Sequence, residues 1–299
     1  VIHPDIPAAA ELLAALPEDR YDLGEVLYAW YLASTPLPSR PAVPSPLDVN
    51  LGGALDAAHA DATRFVGGWR AERATDLGGV IASRGGLLRH IPRAGYTVPA
   101  RPGLPARPGD ALLARVAWTW CDSDHGFWHT RRGPWPPPGA DRLTRTYLNV
   151  TFDGVPAAIE VLTTMLAGHR DMPYQIKTPL SGAHGGRADA VVLYLGAPDA
   201  AALAGELPDA ARRLAGVLRP ACPRFTDPVA PGVGQAQGPL GGASFGQVRC
   251  DLLARTWRAA PPGVRRDAET LTSAIARGFA DAGVDPARPY LLSDAEVHA

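Results

Sequence analysis

The sequence predicts an α+β fold: a mixed β-sheet flanked by helices, behind a helical, proline-rich N-terminal region. Three observations carry this reading. Apolar residues near the start recur at three- and four-residue spacing, the period of a helix face. From Ala111 the pattern changes to alternation, the period of a half-buried strand. Strand-like and helix-like runs then follow one another with no internal repeat.

In the first part, 8–16, 21–34 and 53–72 read as helices, most clearly in "AAAELLAAL" and "LGEVLYAWYLAS". "TPLPSRPAVPSP" (35–46), "PRAGYTVPARPGLPARPGD" (92–110) and "GPWPPPGA" (133–140) break regular structure, because proline removes a donor and blocks helix. The chain divides at residue 110, into a helical region 1–110 and an α+β domain 111–299. "ALLARVAWTW" (111–120) alternates, "DSDHG" turns, and "FWHTRR" (127–132) returns as a hairpin strand with Phe127, His129 and Arg131 on one face. "DRLTRTYLNVTFD" (141–153) alternates as well and puts Arg145, Tyr147 and Asn149 on one side. Such a polar strand face is either solvated or the floor of a site.

Asp153 then caps a helix with Pro156 in its first turn. A strand follows at 174–179, then the glycine loop "SGAHGG", the apolar strand "ADAVVLYLG" and a helix over about 199–217. Residues 223–249 show no regular period. A helix begins at "SFGQVRCDLLARTWRAA", and a last one over 267–282 stops at Gly283.

Composition excludes several function classes. Hydrophobic content is 46% and net charge is −1, so no nucleic-acid or membrane partner is expected, and an anionic ligand needs a local arginine cluster. Cys121, Cys222 and Cys250 are widely spaced with no CxxC, which reads as reduced thiols rather than disulfides or zinc. No apolar run is long enough for a membrane span, and "VIHPDIPAAAELL" lacks a signal peptide's regions, so a cytoplasmic location is expected. GxGxxG after a strand, the P-loop, HExxH and GxSxG are all missing, so no cofactor is called for. His125 and His129 lie four apart, but in a turn and a strand rather than on a helix, so no metal site is expected.

One residue stands out. Of 29 basic residues, Lys177 is the single lysine. Arginine stays protonated, whereas a lysine crowded by cations loses its proton and becomes a base or nucleophile. Arg145, Arg187 and Arg249, with Arg131 beside His129, form a phosphate pocket if they converge; Asp189 shares a strand face with Arg187 and positions it. A lone lysine, a histidine and an arginine clamp suit one metal-free chemistry, β-elimination of phosphate from phosphoserine or phosphothreonine. Lys177 takes the Cα proton and a histidine protonates the leaving phosphate. His129 is the first choice of acid, His125 the second and His184 the third; His169 suits a helix C-terminus, and His59 and His90 read as structural or exposed.

The order of segments "RTYLNV", "QIKTPL", "RADAVVLYL", "PRFTDPVAPGVGQAQGP", "SFGQVR" and "GVDPARPYLL" resembles the HopA-type type III effector family of plant-pathogenic bacteria, over about residues 112–292. Members in actinobacterial peptide gene clusters pair with a kinase-like phosphotransferase. There the resemblance implies a lyase that converts phosphorylated Ser/Thr of a precursor peptide to dehydroalanine or dehydrobutyrine, in class V lanthipeptide and related thioamidated peptide biosynthesis. It carries the base role to Lys177 and phosphate binding to Arg145, Arg187 and Arg249. Two other readings stand beside it: a non-catalytic peptide-binding partner of the kinase-like protein, and a cyclase of the same pathway.

Overall fold

The structure, a computed structural model, describes residues 1–17, 22–33, 51–61, 63–122, 124–182, 186–240 and 244–292. The fold class is α+β with a helical N-terminus, as the periodicities require. Helices α1 (Asp5–Ala14) and α2 (Leu23–Leu32) lie close to the expected positions, and α3 (Gly52–Ala58) follows.

The helix expected over 53–72 ends early. From Thr63 the chain is strand β1 (Thr63–Ala74), which pairs with β2 (Val80–Arg84) and β5 (Ala111–Ala117). The adjacent Gly67 and Gly68 explain the change, since each costs a helix about 1 kcal/mol. Gly68 also has φ +80°, where the β1–β5 register shifts between Val66 and Trp69. With β3 (Leu87–Ile91) and β4 (Tyr96–Thr97) these strands form a five-stranded sheet in the order β3-β2-β1-β5-β4. The β1–β5 ladder spans residue 110, the expected boundary.

A seven-stranded sheet organises the rest. It comprises β6 (Thr119–Asp122), β7 (Phe127–Arg132), β8 (Leu143–Leu148), β9 (Tyr174–Pro179), β10 (Val191–Gly196), β11 (Asp227–Ala230) and β12 (Val233–Gly238). Their order is β11-β12-β8-β10-β9-β7-β6. Every strand pair in both sheets is antiparallel, so the expected mixed sheet is corrected to antiparallel. The expected strand 111–120 is two strands, because the chain passes from one sheet to the other at Trp118.

Two helix expectations also change. Asp153 does not cap α4 (Val155–Ala167): it lies in a 3-10 turn, and Gly154 is the residue before the helix. The helix over 199–217 is two short ones, α5 (Ala197–Leu203) and α6 (Leu207–Arg213), separated at Gly205 with Pro208 opening the second. The aperiodic stretch 223–249 holds the hairpin β11–β12, whose small residues "VGQAQG" hide the strand alternation. Helices α7 (Phe245–Ala259), α8 (Pro262–Arg265) and α9 (Ala268–Asp281) follow.

Strand β10, "VVLYLG", is apolar on both sides because both sides are covered. Val191, Leu193 and Leu195 pack with Ile159 and Leu162 of α4, while Val192 joins α1, α2, α7 and α9 through Leu27, Leu253 and Phe279. Full burial of each such side chain contributes roughly 1.5–3 kcal/mol. The face toward α2 and α7 is the one that carries polar chemistry.

Candidate active site

Two cross-strand rows occupy that face. The first runs Trp120, His129, Lys177, Val192, Tyr147 through β6, β7, β9, β10 and β8. The second, displaced by two residues, runs Arg131, Gln175, Tyr194, Arg145 through β7, β9, β10 and β8. Alternation along each strand makes this possible, since residues two apart share a face. Above the central strands, closed by α2 and the start of α7, lies a cavity of about 210 Å³. Arg145, Lys177, Arg187 and Asp189 line it, with aromatic walls from Phe127, Tyr28, Tyr31, Tyr147 and Tyr194.

Arg145 is the most telling member. Only 8% of it is exposed, and its Nη1 is buried with no acceptor. Its guanidinium carbon lies 5.8 Å from the Tyr194 ring centre, and no carboxylate among the described residues pairs with it. A buried cation without a counter-charge is costly, so this is a place prepared for an anion. Gly238 keeps the space open, because a Cβ there would collide with the Arg145 guanidinium.

Lys177 faces His129 across the β7–β9 ladder, and its Nζ lies 3.7 Å from the centre of the Phe127 ring. Among the described residues it has no hydrogen-bond or ion-pair partner. Burial, followed by the charges of Arg187 and Arg145, lowers its pKa below the usual lysine value; Asp189 and Asp122 pull the other way.

Arg187 is held firmly. Ala188 donates its N–H to the Leu32 carbonyl at 2.7 Å, and Arg187 bridges to Ala33, so the end of α2 fixes this segment. Its Nε and Nη2 donate to Asp189 Oδ1 and Oδ2 at 2.8 and 2.9 Å. Burial alone would lower the guanidinium pKa, but the Asp189 bonds and charge, aided by Tyr28, raise it.

His129 is 8% exposed and stacks flat on Trp120, with ring centres 4.9 Å apart and planes within 5°. Burial first, then Lys177, Arg131 and His125, lower its pKa to about 4, against the pull of Asp122. Gln175 Nε2 lies 3.4 Å from its Nδ1, which assigns the proton of the neutral ring to Nε2. His129 is thus beside Lys177 but not in the cavity wall. His125 is exposed in the β6–β7 turn and paired with Asp122 at 2.9 Å, away from the cavity. His184 lies outside the described residues. His59 is buried against Thr130 Oγ1 at 2.9 Å, His90 bonds Thr75, and His169 pairs with Glu206 rather than only capping a helix.

Three expected ligands sit elsewhere. Arg249 is completely buried in the second turn of α7, and its Nε and Nη2 donate to the carbonyls of Pro289 and Leu291 at 2.8 and 2.9 Å. It anchors the C-terminal segment. Asn149 follows the end of β8 and donates Nδ2 to the Ala221 carbonyl at 2.8 Å. Arg131 donates Nε to Gln175 Oε1 at 3.1 Å and lies on the outer part of the face. Conversely, the tyrosines of α2 and Tyr194 were not singled out from the sequence. The Tyr28-x-x-Tyr31 spacing was the available signal, and a stripe of that kind ordinarily marks core.

Burial, with Tyr147 and Asp189 nearby, pushes the Tyr31 phenol well up; burial pushes Tyr147 up to about 12 and raises Tyr194 further. These three phenols therefore stay neutral. Ser244, which accepts from Gln247 N at 3.2 Å, and Gly246 bring the positive end of the α7 dipole to the cavity. Among the described residues no group of His, Cys, Asp or Glu could hold a metal ion. No described helix is long and apolar enough to cross a membrane. Among the described residues, what remains is an aromatic-walled chamber with three basic side chains and one carboxylate, the carboxylate already engaged by Arg187. It suits a small dianion.

Two solved effector proteins share this architecture. Those of Pseudomonas syringae pv. tomato strain DC3000 and pv. syringae strain 61 superpose with TM-scores of 0.50 and 0.53, at 12% and 15% identity. In each case the match covers 96% of this chain and 96% of the other. No curated protein matches the chain. Identities this low establish a common fold alone, but residues 123–291, more than half of the chain, also match a family model, and on that ground the chain belongs to the HopA1 effector protein family.

Proposed function

We propose that this chain is a lyase that β-eliminates phosphate from phosphoserine or phosphothreonine of a ribosomal precursor peptide, leaving dehydroalanine or dehydrobutyrine. The observation that carries the proposal is the unpaired, buried Arg145 in one cavity with Arg187 and a lysine of lowered pKa. The phosphate takes Arg145 as its counter-ion, and Arg187, fixed by Asp189, presents its remaining donors.

Lys177, in the neutral fraction that burial and the neighbouring guanidinium groups favour, then removes the Cα proton. The electrons of that bond form the Cα–Cβ double bond, the Cβ–Oγ bond breaks, and phosphate departs with its pair onto the two guanidinium groups. His129 protonates the departing oxygen once the dianion beside it raises its pKa from about 4. A kinase-like phosphotransferase acting earlier on the same peptide would supply the phosphate.

A second reading, a non-catalytic peptide-binding partner of that kinase-like protein, is favoured by one observation: His129, the histidine beside Lys177, is held neutral by burial and does not line the cavity. The cyclase reading has no such support. Mass spectrometry of a phosphothreonine peptide incubated with wild type and Lys177→Ala decides between them. Loss of the elements of phosphoric acid with wild type alone supports elimination. Loss of the phosphoryl group with retention of the hydroxyl means phosphatase chemistry, and tight binding of an unchanged peptide means a binder.

A further inference from the structure

Beyond the cavity the same sheet face continues as alternating rings and cations. Lys177 lies on Phe127, whose ring is 6.4 Å from that of His129. Trp120 stacks on His129 and is 39% exposed, and the Arg131 guanidinium lies 5.0 Å from the Trp120 ring and 5.6 Å from that of Trp135. Among the described residues the side chain of Arg131 hydrogen-bonds to the neutral Gln175 and pairs with no carboxylate. Two indoles lie against the guanidinium; its Nε is taken by Gln175, and its terminal donors suit a carboxylate.

We infer that this strip reads the peptide beside its phosphorylated residue, with Arg131 binding an aspartate or glutamate two residues away. The inference rests on the cavity holding the phosphorylated side chain. Spacing sets the interval: Arg131 and Lys177 are diagonal neighbours on paired strands, roughly 7–8 Å apart. An extended peptide advances roughly 6.6 Å in two residues and presents both side chains on one side. One such arginine on this strip, in a chain of net charge −1, favours one acidic side chain over a polyanion.

The test measures binding rather than turnover. Fluorescein-labelled phosphothreonine peptides in a glycine–alanine background carry Asp two residues before the phosphorylated residue, two residues after it, or at neither position. Anisotropy titrations against wild type should show one Asp peptide binding about fivefold more tightly than the peptide without Asp. Arg131→Gln should abolish the difference while phosphate-dependent binding of the Asp-free peptide persists. Arg131→Lys should restore most of it, and Arg131→Glu should shift the preference to a peptide with Arg at that position. Equal affinities in wild type, or an Asp preference that survives Arg131→Gln, overturns the inference. Phosphate-dependent binding without elimination sinks the lyase and leaves the inference standing; binding indifferent to phosphate sinks both, because the register is then lost.

Discussion

At the residue scale the distinction between lysine and arginine does the sorting. A guanidinium at 177 would keep the charge and lose the base, because it does not deprotonate in the working range. Lys177→Arg is therefore expected to bind phosphopeptide within about twofold of wild type while elimination falls by at least about 10³-fold. His129→Gln should cost less, about 10²-fold, since the arginines still receive the leaving group. The neutral fraction of Lys177 increases with pH, and its pKa lies below 10.5, so the rising limb of kcat/KM against pH should fall below that of a free lysine. A profile that rises only at or above 10.5 removes Lys177 from the role of base. Lys177, Arg145, Tyr147, Arg187 and Asp189 were legible from alternation and residue type, and they do meet in one cavity. Arg249 and Asn149 were not, because a sequence shows which donors a residue has but not which carbonyls they find.

At the scale of elements, close approaches decide the shape of the cavity. The Tyr31 ring lies so near Gly246 that any Cβ would overlap it, which ties α2 to α7 at the cavity wall. Gly246→Ala should destabilise the protein by about 1–3 kcal/mol, measured by urea denaturation, and weaken phosphopeptide binding as Tyr31 is displaced. Gly238→Ala acts on the other side by displacing the Arg145 guanidinium, so it should reduce phosphate affinity with a smaller loss of stability. Helices α1, α2, α7 and α9 and strands β7 and β8 were readable from their periods, and β10 from its continuous apolar run. Strands β1 and β12 were obscured by glycine and small residues, whose strand character comes from the neighbours they pair with rather than from their own preferences.

Across the whole molecule, burial of two neutral imidazoles couples stability to pH. His59 and His129 have pKa values lowered to about 4 in the folded state, mainly by burial, against 6.5 when free. Between those values the unfolded chain binds more protons than the folded one, so stability is full above about 6.5 and is lost as pH falls toward 4. Each site can contribute roughly 3 kcal/mol at most. Calorimetry should show Tm dropping across this window, with a flatter dependence in His59→Gln and His129→Gln; a Tm independent of pH there would mean that neither ring is buried neutral. The α+β class was legible, but the antiparallel order of the large sheet was not. It depends on which strands meet, and the ladder that joins β1 to β5 crosses the point where the change of period suggested a boundary.

The tyrosines of α2 lie before residue 123, outside the stretch that matches the family, yet they wall the cavity whose floor lies inside it. For protein engineering, then, the matched stretch is not a transplantable cassette. A chimera that kept 123–291 and borrowed its first helices from a relative would exchange the ceiling over Arg187 along with them, and two family members with the same floor could admit different guests.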